Sequence, residues 1–204
     1  MCPSDPKSVV PGGGAPQNYR LNQGVNILYS GVPSASGPNS LMPAADGPFW
    51  QGSKTRFADI TDGTSNTAAI SEKMKGDFSD AIVTNRTDTF LLLDYPDNPD
   101  SWNASCDSLD ITDLTRQANS DIGVSWMEGS HSNSSYYHTN LANKRSCKKP
   151  SGRVATLANS AHGGGIGVNV VMCNGSVRFV SSTITLFNWR ALGTMNKGEV
   201  FTID

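Results

Sequence analysis

The chain has 204 residues, a formal net charge of −2 at pH 7 and no run of lysine and arginine, so it lacks the electrostatic features of proteins that bind nucleic acid or anionic membranes. Hydrophobic residues make up 37% and charged residues 17%, a polar composition typical of loop-rich, β-rich exported proteins. The length fits one domain over residues 1–204, and no stretch has the pattern of a signal peptide or of a membrane-spanning helix.

The first half of the chain predicts short strands joined by long irregular segments. Residues 1–55 hold most of the prolines, which favour turns. One helical turn is expected around Phe57 and Ile60, and Asp62 and Gly63 end it. The strands expected here are 25–30 (VNILYS), 47–52 (GPFWQG), 66–73 (NTAAISEK, with Ala68 and Ile70 alternating), 80–85 (DAIVTN) and 88–95 (DTFLLLDY).

The middle of the chain predicts one helix, one strand and one loop. Residues 107–119 favour a helix with Leu109, Ile111 and Leu114 on its apolar side. A strand is expected at 123–129 (GVSWMEG), and residues 130–152 read as a long polar loop.

The clearest local signal is a β-hairpin that follows His162 and a glycine-rich segment. Asn174 and Gly175 separate two alternating apolar runs, which predicts a type I′ turn with positive φ at both residues. The pairs expected on one face are Met172 with Val177 and Val170 with Phe179, with Val171 and Arg178 on the other face.

The C-terminal part predicts a short helix followed by a strand. Residues 183–195 favour one or two helical turns that carry Leu186, Trp189 and Leu192 inward. Residues 198–204 (GEVFTID) favour a terminal strand.

No sequence motif marks a catalytic nucleophile. The G-x-S-x-G elbow is missing, but His162, Ser65 and either Asp59 or Asp62 form an alternative triad that only the fold can assemble. The glycines after His162 would then supply backbone N–H groups around an oxyanion. A glycoside hydrolase would need two carboxylates that meet in space, and the sequence singles out no pair.

Cofactor sites are equally unmarked. The histidines and cysteines lack zinc-ligand spacing, so we expect no metal and no cofactor. An acidic, loop-rich run leaves calcium as an alternative, although it lacks the EF-hand pattern. Its members are Asp94, Asp97, Asp100, Asp107, Asp110 and Asp113.

Several stretches along nearly the whole chain carry a family resemblance. They are, in order, CPSDP, NYRLN, FADITDGTSNTAAISEK, SWMEG, AHGGGIGVNVVMCNGSVRFV and WRALGTMNKGEV. Together they resemble the prepilin-like proteins of unknown function that are greatly expanded in planctomycetes. That family is known for a C-terminal His-x9-Asp-Gly motif and for an N-terminal prepilin segment with a long apolar helix.

The resemblance implies a fold and a set of motif residues. The fold is α+β, mainly antiparallel sheet with long loops: a pilin-like domain lacking its N-terminal helix. The motif residues carried over are His162 with Asn174 and Gly175, and Asp62 with Gly63. Here eleven residues separate His162 from Asn174, and asparagine replaces the family's aspartate, so a metal-binding or salt-bridging carboxylate is lost at that position.

The function implied by the resemblance is structural rather than enzymatic. We expect a pseudopilin or minor pilin of a type II secretion or type IV pilus-like system, exposed on the bacterial cell surface and anchored in its full-length form. Its partners would be other pilin-like subunits or copies of itself, with membrane contact only through the helix. The alternatives are a hydrolase acting near His162 and a carbohydrate-binding module using Trp50, Trp102, Trp126 or Trp189.

The four cysteines allow three complete pairings, and sequence alone does not choose among them. Cys2 lies at a terminus, and we expect its natural partner in an upstream segment. Cys173 lies where the resembled family usually has alanine. Cys106 and Cys147 lie in polar segments with little else to hold them. We therefore expect a Cys106–Cys147 disulfide and an oxidising compartment.

Two further expectations follow from the pilin-like reading. A sheet without its helix should leave an apolar face that self-associates or is covered locally. His162 should be structural and should bond to backbone or to the DITDGTSN segment.

Overall fold

A computed structural model describes residues 2, 4–6, 10 and 14–202. Within this part the chain forms two α-helices and nine strands in two mostly antiparallel sheets, which confirms the predicted α+β class. The strands are β1 (Tyr19–Asn22), β2 (Ala68–Glu72), β3 (Thr89–Leu91), β4 (Gln117–Asn119), β5 (Ser135–Tyr136), β6 (Ser146–Lys149), β7 (Arg153–Ala155), β8 (Gly167–Met172) and β9 (Val177–Ser181). The helices are α1 (Pro99–Asp107) and α2 (Leu186–Gly193).

The larger sheet has the strand order β5-β1-β2-β8-β9, and only its β1–β5 pair is parallel. One face packs on α2, which begins where the Thr185 side chain accepts a hydrogen bond from the Asn188 N–H. Trp189 and Leu192 of α2 are fully buried and Leu186 packs against the same core, so the expected inward side of this helix is confirmed.

The smaller sheet has the order β4-β3-β6-β7, and only its β3–β6 pair is parallel. Helix α1 packs on it through Trp102 and begins at Asn98, whose side chain accepts from two backbone N–H groups. A disulfide joins Cys106 of α1 to Cys147 of β6, with 6.0 Å between the Cα atoms. The predicted pairing is therefore confirmed. The single domain over residues 1–204 stays a prediction.

The hairpin forms, but its register differs from the expected one by one residue. Val177 pairs with Val171 rather than with Met172. The turn is longer because the Met172 N–H donates to the Ser176 carbonyl and Gly175 N–H donates to the Met172 carbonyl. A type I′ turn requires a positive φ at both Asn174 and Gly175. Gly175 has φ 85°, but Asn174 is not among the described non-glycine residues with positive φ, which are Phe78 and Asn143. The predicted type I′ turn is therefore wrong.

This shift has a large consequence for the larger sheet. A one-residue slip moves every side chain of a strand to the other face relative to its partner strand. Val170 and Met172 remain in the core, whereas Val177 and Phe179 are exposed on the opposite face. A bulge between Ala68 and Ile70 does the same in β2, because Ala68 pairs with Met172 and Ile70 pairs with Val171.

The short elements at 57–59 and 89–91 lie where they were expected, but several predicted elements do not form. The segments 25–30, 47–52, 80–85, 123–129 and 198–202 contain no strand, and residues 203–204 lie outside the described part. In the first of these, Gln23 satisfies two carbonyl groups with its side chain, so Leu28 makes only an isolated bridge to Arg153. Such local side-chain bonds replace a strand ladder.

The middle of the chain was also misassigned. The helix ends at Asp107 rather than beginning there. Asp110 and Asp113 accept hydrogen bonds from backbone N–H groups two residues on, which competes with helix formation. The loop expected at 130–152 contains β5 and β6, and it buries Tyr136, Tyr137 and His138 completely.

Candidate functional site

Three of the motif segments meet beside the end of β2 in the larger sheet. Cys2, Glu72 and His162 come from three distant parts of the chain. The Cys2 Sγ atom lies 3.1 Å from His162 Nε2, and Glu72 Oε2 lies 3.7 Å from the same nitrogen. Cys2 and Glu72 are buried, whereas the His162 side chain is 44% exposed. We call these residues the Cys2–Glu72–His162 cluster.

Glu72 is the last residue of β2, and its carboxylate is held on both oxygens. Oε1 accepts from the Asn169 backbone N–H at 2.7 Å and from its side-chain amide at 2.6 Å. Oε2 accepts from the Ser160 hydroxyl at 2.8 Å. These bonds compensate the burial of the carboxylate and fix its orientation.

His162 starts a 3-10 turn, His162–Gly164, at the entrance to β8. Its N–H donates to Ser160 Oγ, and its ring nitrogen Nδ1 lies 3.2 Å from Ser4 Oγ. Gly165 follows with φ 88°, and a Cβ there would lie 2.1 Å from the Arg86 guanidinium. The glycines after the histidine thus allow a left-handed turn in a space that a side chain would not fit. The ring contacts Cys2, Ser4 and Glu72, and none of the described contacts joins it to DITDGTSN. The structural role expected for His162 stays a prediction.

The N-terminal segment is bound to the sheet by buried polar groups. The Cys2 N–H donates to Asn18 Oδ1 at 2.8 Å, and the Asn18 amide donates to Asp5 Oδ2 at 2.5 Å. Asp5 also accepts from the Lys75 N–H and forms an ion pair with Lys75 Nζ at 3.4 Å. The chain start is therefore fixed beside β1 and the end of β2.

Two more cations lie buried near this network. Burial lowers the pKa of Lys73 well below its usual value, and the Arg20 charge adds to the effect. Lys73 Nζ donates to Ser146 Oγ and to the Leu157 carbonyl, which links β2 to the smaller sheet. Burial also lowers the pKa of Arg20 to about 9. The Arg20 guanidinium donates to the His131 carbonyl at 3.0 Å.

The residues of the alternative triad have other partners. Both Asp62 oxygens accept from backbone N–H groups, those of Lys197 and Gly198. Asp59 pairs with Arg56 at 2.9 Å. Among the described contacts, none joins Ser65, Asp59 or Asp62 to His162, so this triad stays a prediction. Gly63, with φ 96°, turns the chain after Ile60.

The remaining candidates are scattered over the fold. Asp100 forms an ion pair with Arg190, and the calcium alternative stays a prediction. Trp102 and Trp189 are core residues, whereas Trp126 is exposed and Trp50 is half-buried. Only Trp50 and Trp126 are therefore accessible to a carbohydrate. In the described part of the chain no two of the four tryptophans contact each other.

The face of the larger sheet opposite α2 carries six apolar residues beside the polar residues Glu72 and Asn169. One row across it runs through paired residues Leu21, Ile70, Val171 and Val177. Tyr19 pairs with Glu72, and Phe179 pairs with Asn169 in the neighbouring row. We call the six apolar residues the outer face; they are Tyr19, Leu21, Ile70, Val171, Val177 and Phe179. Tyr19 and Phe179 are each 51% exposed and Val177 is 64% exposed.

Sequence reasoning missed Cys2 and Glu72 as partners of His162. Both residues lie in the quoted motifs, CPSDP and AAISEK. One sequence feature could have indicated the contact, since His162 and both partners occur in the same ordered set of motifs. No spacing rule, however, predicts a contact between residues so far apart in sequence.

A family model described as "Protein of unknown function (DUF1559)" matches residues 1–186. No curated protein and no solved structure matches the chain.

Proposed function

The chain belongs to the DUF1559 family of proteins of unknown function, and from that premise we propose that it is a non-catalytic, prepilin-like assembly subunit. It acts as a pseudopilin or minor pilin of a type II secretion or type IV pilus-like system. Its full-length form is anchored by an N-terminal helix and is displayed outside the bacterial cytoplasm.

The observation that carries this proposal is the outer face of the larger sheet. Three of its side chains are at least half exposed, Tyr19 on β1 and Val177 and Phe179 on β9. The paired residues Leu21, Ile70 and Val171 connect β1 to Val177 across the sheet. Contiguous apolar surface on a folded domain marks an interaction site. A pilin-like fold packs an apolar helix against an antiparallel sheet, which is the kind of partner that this face accepts.

The position of the chain start supports the same proposal. Cys2 is attached to Asn18, next to Tyr19 of β1, and reaches Glu72 through His162. Tyr19 and Glu72 form a cross-strand pair at the edge of the outer face. A helix entering before Cys2 would therefore begin beside this face.

The disulfide supports the proposed location. Cys106 and Cys147 are bonded, and such bonds persist in oxidising compartments such as the periplasm and the cell surface. Among the described residues no helix is both long and apolar enough to cross a bilayer.

A fractionation experiment tests the assembly role. An epitope-tagged full-length protein should be recovered with surface filaments or the secretion apparatus after shearing of the source cells. The double variant Val177→Asp, Phe179→Asp should still be exported with its disulfide formed but should be lost from that fraction. Equal recovery of both proteins would contradict the proposal.

A second function is favoured by one distance. The 3.1 Å between Cys2 Sγ and His162 Nε2 is the arrangement of a thiol nucleophile with its base, which would make the chain a thiol-dependent hydrolase. A screen on chromogenic esters and glycosides tests it. Turnover that disappears in Cys2→Ser and in His162→Gln, with unchanged thermal unfolding, would replace the assembly role by this one.

A further inference from the structure

We propose that the Cys2–Glu72–His162 cluster is a binding site for a divalent cation of the zinc class. One sulfur, one imidazole nitrogen and one carboxylate oxygen lie within 4.8 Å of one another. This inference does not depend on the assembly role.

The distances fit a common centre. A tetrahedral zinc ion with ordinary bond lengths of about 2.0–2.3 Å keeps its sulfur and nitrogen ligands roughly 3.5 Å apart, and its nitrogen and oxygen ligands roughly 3.3 Å apart. The corresponding separations here are 3.1 Å for Cys2 Sγ to His162 Nε2 and 3.7 Å for Glu72 Oε2 to His162 Nε2. These two separations lie within a few tenths of an ångström of the ideal values, and the third, between the sulfur and the carboxylate oxygen, is within 4.8 Å.

The surrounding contacts orient the ligands as metal sites require. Metal-binding imidazoles donate their second ring N–H to an oxygen atom, and Ser4 Oγ lies 3.2 Å from Nδ1. Ligating carboxylates are themselves hydrogen-bonded, and Glu72 accepts three bonds from Asn169 and Ser160. These supports direct Nε2 towards Cys2 Sγ and Glu72 Oε2, the two other atoms of the cluster.

Electrostatics also points to a cation between these atoms. In the tautomer that donates Nδ1–H to Ser4, the Nε2 atom of His162 presents only a lone pair. Glu72 Oε2 faces that lone pair at 3.7 Å, beyond hydrogen-bond distance. The Cys2 S–H is the donor to that lone pair. A cation that replaces the thiol proton would contact the sulfur, the imidazole nitrogen and the carboxylate together.

The ligand types select the class of metal. A thiolate and an imidazole suit zinc or cobalt, whereas calcium and magnesium require oxygen ligands. The Cys2 thiol releases its proton to solvent on binding, because the thiolate is the ligand. The exposed side of His162 leaves room for water in a fourth position.

The test uses the chelator-treated protein with cobalt or zinc alone. Cobalt should bind one ion per chain and produce a thiolate-to-cobalt charge-transfer band, and zinc should displace it. Cys2→Ser should abolish the band, and His162→Gln and Glu72→Gln should each weaken binding at least tenfold. The matched control is Cys173→Ser, which removes the other free thiol and should leave the band unchanged.

X-ray absorption on the zinc-loaded, unmutated protein is independent of variant folding. It should show one sulfur ligand with nitrogen and oxygen neighbours. The proposal is overturned if the protein binds no ion, if the sulfur comes from Cys173, or if binding is unchanged in His162→Gln and Glu72→Gln. Binding that needs Cys2 alone would indicate an adventitious terminal chelate and would also overturn it.

Discussion

Asp5 and Lys75 form an ion pair in which the two side chains are only 2% and 1% exposed. Their nitrogen–oxygen distance is 3.4 Å, and the Lys75 N–H also donates to the same carboxylate oxygen. A buried pair is costly to break because the remaining charge loses its partner in a low-dielectric environment. This contact therefore decides how firmly the N-terminal segment is held.

The first prediction is that Asp5→Asn destabilises the protein by about 3–5 kcal/mol, measured by urea unfolding. The matched control is Arg56→Gln, which breaks an ion pair whose arginine side chain is 79% exposed and should have a much smaller effect. An Asp5 variant as stable as the control would show that the segment contributes nothing to the fold.

The second prediction concerns the disulfide between α1 and β6. Cys106 and Cys147 are 41 residues apart, and closing such a loop restricts the unfolded chain by about 4 kcal/mol in the chain-entropy model. Reductant should therefore lower the free energy of unfolding by roughly that amount. The double variant Cys106→Ala, Cys147→Ala should be equally weak and insensitive to reductant. A variant that still responds to reductant would place the effect on another cysteine.

The third prediction concerns pH and His138. Desolvation by burial lowers the pKa of His138 to about 3, from 6.5. Because the folded-state value lies below the unfolded one, the contribution to stability is complete above pH 6.5 and is lost as the pH falls towards 3. Each pH unit in this window should cost about 1.4 kcal/mol.

The variant His138→Gln isolates this residue. Burial also lowers the pKa of His131 to about 4 and raises that of Asp88 to about 6, so the total pH dependence is mixed. The difference between the unmutated protein and the variant cancels both. Urea unfolding at pH 7 and at pH 4.5 should show the variant losing less stability, and parallel losses would contradict the assignment.

Local sequence rules predicted the elements whose signals are contained in a few residues. The inward side of α2, the strand around Ala68 and the hairpin after His162 were found in this way. The register of the hairpin was not predicted, because it depends on contacts with the segment before β2. The N–H groups of Cys173 and Asn174 donate to the carbonyl groups of Thr67 and Thr64 in that segment. The residue types of the turn alone do not predict these hydrogen bonds.

The candidate site shows the same limit. His162 was identified from its position before the glycines, but its partners Cys2 and Glu72 are 160 and 90 residues away in sequence. They meet because β1, β2 and β8 are neighbours in one sheet. Distant pairing of this kind follows from topology, for which a single sequence gives no direct signal.

The last prediction is that the chain self-associates through the outer face. Burying an exposed apolar side chain contributes about 1.5–3 kcal/mol when burial is complete, and Val177 and Phe179 lie on the same face of the edge strand β9. Sedimentation should show a mass that rises reversibly with concentration. Val177→Asp with Phe179→Asp should weaken this association at least tenfold, because each charge would have to be desolvated at the interface. Leu41→Asp is the matched control, since Leu41 is 98% exposed and is not part of the outer face. The prediction is contradicted if the protein stays monomeric at every concentration. It is also contradicted if the control weakens association as strongly as the double variant does.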